Sequence, residues 1–151
     1  ESARYVAGDR AVVVDLPWGR MGIAICYDLR FPHLFRVQTR DGGATMLTVP
    51  AAFTRPTGEA HWHTLLRARA IENGAWVLAA AQAGRHENGR ETYGHSLIID
   101  PWGHVVAEAG IEPGVIFADI DPDLALVMRG RVPALSHDRP FTLSPSDEVT
   151  S

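Results

Sequence analysis

A chain of 151 residues, 46% hydrophobic and 21% charged, suits one globular domain able to bury a sizeable core. Its net charge of −4 and lack of a basic run give no electrostatic case for nucleic acid or a membrane surface. No apolar run is long enough to span a bilayer. A single cysteine excludes an internal disulfide and fits a reducing cytoplasm, so small-molecule chemistry becomes the working expectation.

In chain order, Ala11–Val14 reads as a β-branched strand, Pro17-Trp18-Gly19 as a turn, and Met21–Ile25 as a second strand, forming a hairpin. Pro32 suits the first turn of a helix carrying Leu34, Phe35, Val37 and Gln38, which Gly42-Gly43 ends. Met46–Val49 is the next strand, and the strand–helix–strand order implies a parallel crossover. Residues 52–60 read as a loop, followed by a helix from Trp62 to Asn73-Gly74. Trp76–Ala81 reads as a strand and the polar stretch 82–92 as an exposed loop. Gly94–Ile99 and His104–Glu108 are strands about the Pro101-Trp102-Gly103 turn, and Val115–Ile120 is a further strand. Asp121-Pro122-Asp123 starts a helix through Leu124–Met128. Residues 133–151 read as an extended arm or partly disordered tail, with Leu135, Phe141, Leu143 and Val149 as its apolar anchors.

Cys26 stands where the second strand gives way to a helix, a position at which open α/β sheets place reactive side chains. The bland alternative is a small buried hydrophobe. Arg30 offers either a hold on a substrate carboxylate or an internal ion pair with Asp28 or Glu72. Ala52, Phe53 and Thr54 follow a strand end and are candidates to line a pocket, with Phe53 equally a core residue. The seven histidines offer no metal motif: His61 and His63 are two apart, which on a helix turns them about 200° from each other. His61, His86, His95, His104 and His137 therefore read as surface or hydrogen-bonding residues, and no metal or nucleotide cofactor is expected. Trp18, Trp62, Trp76 and Trp102 are read as fillers of core or interface.

Four stretches in matching order carry a family resemblance. They are Gly22–Pro32, Thr57–Trp62 with Leu66–Asn73, Ala79–Gly84, and Gly94-His95-Ser96 with Ile99–Gly103. Together they resemble the nitrilase superfamily of carbon–nitrogen hydrolases, and especially its Nit-like amidase and omega-amidase branch. The resemblance implies an α/β fold, the C-terminal part of a nitrilase-type α-β-β-α sandwich. Residues 1–130 would form the C-terminal half of the hydrolase domain and 131–151 an arm crossing an interface. The chain starts Glu1-Ser2-Ala3-Arg4 without an initiator Met and is expected to be a piece of something longer, with exposed sheet edges unless another chain covers them.

The resemblance further implies a cysteine nucleophile, a glutamate base, a lysine and a second glutamate. Cys26 matches the nucleophile, and Glu1 matches the second glutamate. The base and lysine motifs are not in this sequence, which contains no lysine at all, and arginine cannot simply substitute, because its planar guanidinium differs from the compact ammonium in reach and donor geometry. In the complete site Cys26 would attack an amide carbonyl, with the Tyr27 backbone N–H and the lysine facing the oxyanion. Ammonia would leave a thioester for water to release as the acid. The expected partners are a small linear carboxamide and a homo-oligomer or complementary N-terminal chain. The alternative is an inactive fragment or an assembly module of the same fold. A thiol redox role for Cys26 lacks a resolving cysteine.

Overall fold

The computed structural model describes residues 6–143. Its centre is a six-stranded mixed sheet in the order β1-β2-β3-β4-β7-β8. β1 (Val12–Leu16) and β2 (Gly19–Ile23) form the expected antiparallel hairpin, Leu16 pairing with Gly19 across Pro17-Trp18. β2, β3 (Met46–Thr48) and β4 (Trp76–Ala79) run parallel, while β7 (Leu97–Ile99) and β8 (Val105–Glu108) continue the sheet antiparallel.

Alternation along the strands divides the sheet into two apolar faces. Leu47, Val49, Val77, Leu97 and Ile99 face α1 (Pro32–Arg40) and α2 (Arg55–Asn73), where Phe35, Trp62, Leu66 and Ala70 fill the layer. Met46, Trp76 and Ile98 point the other way, against Ile116, Ala118, Ile120 and Leu124. Both central indoles are buried with their N–H groups satisfied: Trp62 donates to the His95 carbonyl at 2.7 Å and Trp76 to that of Asp121 at 2.8 Å. Trp18 and Trp102 are exposed. The two edge strands carry exposed valines, Val12 and Val14 on β1 and Val105 and Val106 on β8.

Four stretches depart from expectation. The loop expected over 52–60 is helical from Arg55 onward, because Pro56 sits in the first turn, where its missing N–H costs nothing. Gly58 is helical for a packing reason: a Cβ there would fall inside the Tyr93 side chain. The polar stretch 82–92 folds into a two-stranded ribbon, β5 (Ala83–Arg85) against β6 (Glu91–Tyr93). Val115–Ile120 keeps strand-like alternation, Val115 and Phe117 outward and Ile116, Ala118 and Ile120 inward, but finds no ladder partner among the described residues and is not a strand. α3 (Pro122–Arg131), capped by Asp121, forms as expected, but in the expected arm the short α4 (Ala134–His137) follows and packs on α1 and α2. Arg40 reaches Asp138 at 2.9 Å. Phe141 and Leu143, expected as anchors, are 93% and 96% exposed, and Val149 lies outside the described residues.

The helix ends agree with the sequence. α2 stops at Gly74, in the left-handed region at φ 51°, and α1 gives way after Arg40. Arg129 from α3 covers the α2 terminus, donating to the carbonyls of Asn73 at 3.0 Å and Ala44 at 2.6 Å. Burial draws its guanidinium pKa down from the ordinary arginine value.

Candidate active site

The parallel strands β2, β3 and β4 end side by side, and the chain leaving each one builds the site. The Cys26 N–H donates to the Pro50 carbonyl at 2.9 Å, the Ala51 N–H to Ala80 at 2.9 Å, and the Gln82 N–H to Ala51 at 2.9 Å. Cys26 is partly buried and packs with Ala51 and Ala81 against the main core. Its backbone lies at φ 48°, left-handed for a residue with a Cβ. Such a conformation costs about 1–3 kcal/mol and persists where the surroundings over-determine it, often at functional sites.

The over-determination is visible. Residues Cys26–Arg30 form a 3₁₀ turn rather than continuing the strand, and the Asp28 carboxylate accepts the Ile25 N–H at 2.8 Å to close it. Gln38 on α1, fully buried, donates to the carbonyls of Val12 at 3.2 Å and Ile23 at 2.7 Å, fixing the hairpin just before the turn. Arg69 on α2, also buried, grips the far end: its Nε and Nη2 donate to the Leu29 carbonyl at 3.1 and 2.6 Å, and its Nη1 pairs with Glu72 at 2.9 Å. Thr39 and Asn73 hydrogen-bond at 3.0 Å between α1 and α2, keeping the two supports in register. Arg69 and Gln38 carry no local sequence signal for this role, because each acts across more than a dozen residues of chain.

The ion pair expected of Arg30 with Asp28 or Glu72 does not form. Glu72 is taken by Arg69, and Asp28 is turned to the backbone. Arg30 instead lies 5.2 Å from the Phe53 ring centroid and 5.7 Å from that of Tyr27, with Nη1 3.3 Å from His61 Nδ1. Among the described residues it has no carboxylate partner within ion-pair distance. The structure therefore gathers Cys26, Tyr27, Arg30 and Phe53 around one turn. Phe53 is buried, its ring 5.0 Å from Trp62, so it is a core residue that also supports Arg30. Tyr27 is 60% exposed, and its N–H belongs to the first turn, whose donors lack intrahelical acceptors. Ala52 borders a cleft with Gln82, His86 and Thr92, its carbonyl held by Arg90 at 2.7 Å. Glu1 lies outside the described residues.

The ribbon β5–β6 docks beside the site, Thr54 bridging Thr92 and the Tyr93 N–H donating to Phe53 at 3.0 Å. The Ala81 N–H is taken up by Ser96 Oγ at 2.9 Å. On the flank of the ribbon, the structure brings together three residues that lie far apart in the chain. Glu108 Oε1 lies 3.0 Å from His63 Nε2 and 2.7 Å from His95 Nδ1. Burial pushes the Glu108 carboxyl up, and the two histidine hydrogen bonds outweigh it, leaving the group below the ordinary carboxylate value.

A family model described as carbon–nitrogen hydrolase matches residues 1–129. The deaminated glutathione amidase of Synechocystis sp. is 49% identical over 139 residues, covering 91% of this chain and 51% of that protein. The crystal structure of Saccharomyces cerevisiae Nit3, a member of branch 10 of the nitrilase superfamily, superposes with a TM-score of 0.82 at 38% identity, over 88% of this chain and 49% of that one. A mutant amidase from Nesterenkonia sp. AN1, in which acrylamide has undergone Michael addition at the active-site cysteine, superposes with a TM-score of 0.72 at 30% identity, over 88% of this chain and 52% of that one. The chain thus spans about half the length of relatives it matches. No helix among the described residues is long and apolar enough to cross a membrane.

Proposed function

Because this chain belongs to the carbon–nitrogen hydrolase family, we propose that it supplies the nucleophile-bearing part of an amidase that cleaves a small linear carboxamide to acid and ammonia. The observation that carries the reading is the Cys26 turn: a lone thiol, held left-handed at the ends of three parallel strands and supported from both flanking helices. The active-site cysteine of the Nesterenkonia amidase supports the same assignment.

In this reading the Cys26 thiolate attacks the amide carbon, and the negative charge moves to the carbonyl oxygen, opposite the Tyr27 N–H. One such donor is worth about 3–4 kcal/mol of transition-state stabilisation. Collapse expels ammonia with a proton from the general acid and leaves a thioester on Cys26. Water then adds, returns the thiol and releases the carboxylic acid. The base and the lysine that the family resemblance implies come from the rest of the full-length protein or from a complementary chain, Glu1 joining them as the supporting carboxylate. This chain alone, without lysine, is inactive in this account. A thiolate nucleophile suits a reducing cytoplasm.

Arg30, free of a carboxylate partner among the described residues and braced by two aromatic rings, is proposed to hold a carboxylate of the substrate. That fits an amide that also carries an acid group, the kind of molecule named for the Synechocystis relative. The exposed Phe141 and Leu143 would be covered in a homo-oligomer.

The test is ammonia release by the intact protein from a panel of primary amides with and without a distal carboxylate. Turnover that prefers the acidic amides supports the reading. Inertness toward every amide would leave the alternative, an assembly module that keeps the fold without the chemistry.

A further inference from the structure

His63 on α2, His95 in the connection between β6 and β7, and Glu108 at the end of β8 come from three elements that share no sequence motif. One ligand atom from each lies within 4.8 Å of the others. A tetrahedral zinc ion with bonds of about 2.0–2.2 Å holds its ligand atoms about 3.4 Å apart. The two contacts to Glu108, 2.7 and 3.0 Å, need open by only about half an ångström, and the two imidazoles, whose ligand atoms lie within 4.8 Å of each other, need settle to the same spacing to admit one. Two imidazoles and a carboxylate are a donor set suited to a borderline ion such as Zn²⁺.

The imidazoles are oriented by more than Glu108. The His95 ring stacks on Tyr93 at 4.3 Å and 25°, and its backbone is strained into the left-handed region at φ 56°. Its carbonyl is anchored by the Trp62 indole. The His63 ring stands edge-on to Tyr93 at 5.9 Å and to His95 at 5.6 Å. Partial exposure, 32% for His63, 27% for His95 and 40% for Glu108, gives an ion a path in from solvent.

We propose that His63, His95 and Glu108 form a divalent transition-metal site, taking Zn²⁺ with water in the fourth position, separate from Cys26 and used to fasten α2, the β6–β7 connection and β8 together. Spacing along the chain does not reveal this site, because His61, the histidine nearest His63 in sequence, takes no part in it. The partners lie 32 and 45 residues away.

The test uses intact, tag-free protein carrying Cys26→Ala, so that the thiol cannot hold the ion, stripped with chelator and titrated with Zn²⁺ against a chromogenic competitor. The expected result is one equivalent bound with a Kd of roughly a micromolar or below, weakened about tenfold or more by His63→Ala, His95→Ala or Glu108→Gln. Glu108→Gln retains an acceptor for the histidines, so circular dichroism should match the parent and its loss of zinc reports the ligand itself. Co²⁺ should give the visible bands of a four-coordinate nitrogen–oxygen site, absent in Glu108→Gln. Binding no tighter than about a millimolar, or binding unchanged in all three variants, overturns the proposal.

Discussion

The Cys26 turn and the His63–His95–Glu108 cluster are two chemically loaded places among the described residues, and they are assembled in opposite ways. The first is contiguous: five consecutive residues form the turn, and distant groups such as Gln38 and Arg69 only brace it through backbone carbonyls. The second has no local part, since its side chains meet only after α2, the ribbon and β8 have packed. A contiguous site survives small shifts in packing because its geometry is set by local backbone bonds. A convergent one depends on every element that delivers a ligand.

Substitutions can break this contrast, beginning with the largest effect. Cys26→Ala should lower amide hydrolysis by the intact protein by on the order of 10³-fold or more while leaving the thermal midpoint nearly unchanged, because the turn is held by backbone bonds and by Arg69 rather than by the thiol. Steady-state kinetics and a melting curve check both halves. Arg69→Met should destabilise the fold by about 3 kcal/mol in urea titration, since it strands the buried Leu29 carbonyl and removes the Glu72 partner. Arg69→Lys should recover little of this, because an ammonium cannot reproduce the double contact on Leu29.

Gly58→Ala should cost about 1–3 kcal/mol by overpacking Tyr93. Its effect should fall on the histidine cluster first, seen as displaced His63 and His95 imidazole resonances, while alkylation of Cys26 continues at the parent rate. Smallest is the comparison of Cys26→Gly with Cys26→Ala: at φ 48° glycine avoids a Cβ penalty of about 1–2 kcal/mol, so the glycine variant should be the more stable of the two. Equal stabilities would show that the turn is not strained at Cys26.

The same contrast explains what could be read from the sequence. The hairpin around Pro17-Trp18, the parallel β2–β3 pair, the stop at Gly74 and the position of Cys26 all follow from local turn chemistry and apolar patterning, and the structure carries each. The early start of α2 was hidden because Pro56 and Gly58 are loop residues by composition, and only the approach of Tyr93 makes a glycine necessary there. The ribbon β5–β6 was masked by its polar, glycine-containing sequence. Val115–Ile120 misled in the other direction, showing the period of a strand without a partner to make it one. For Arg30 the sequence leaves Asp28 and Glu72 open as ion-pair partners, but Arg69 takes Glu72 and the Asp28 carboxylate turns to the Ile25 N–H, which only the packed fold reveals. Pairings made across the fold cannot be read from spacing along the chain.

The most direct test of the central claim is to quench the intact protein with acid during turnover of a small primary amide and map the adduct by mass spectrometry. A covalent acyl group on Cys26, absent from Cys26→Ala, is the predicted result. Amide hydrolysis that continues in Cys26→Ala, or an acyl group found on another residue, would contradict it.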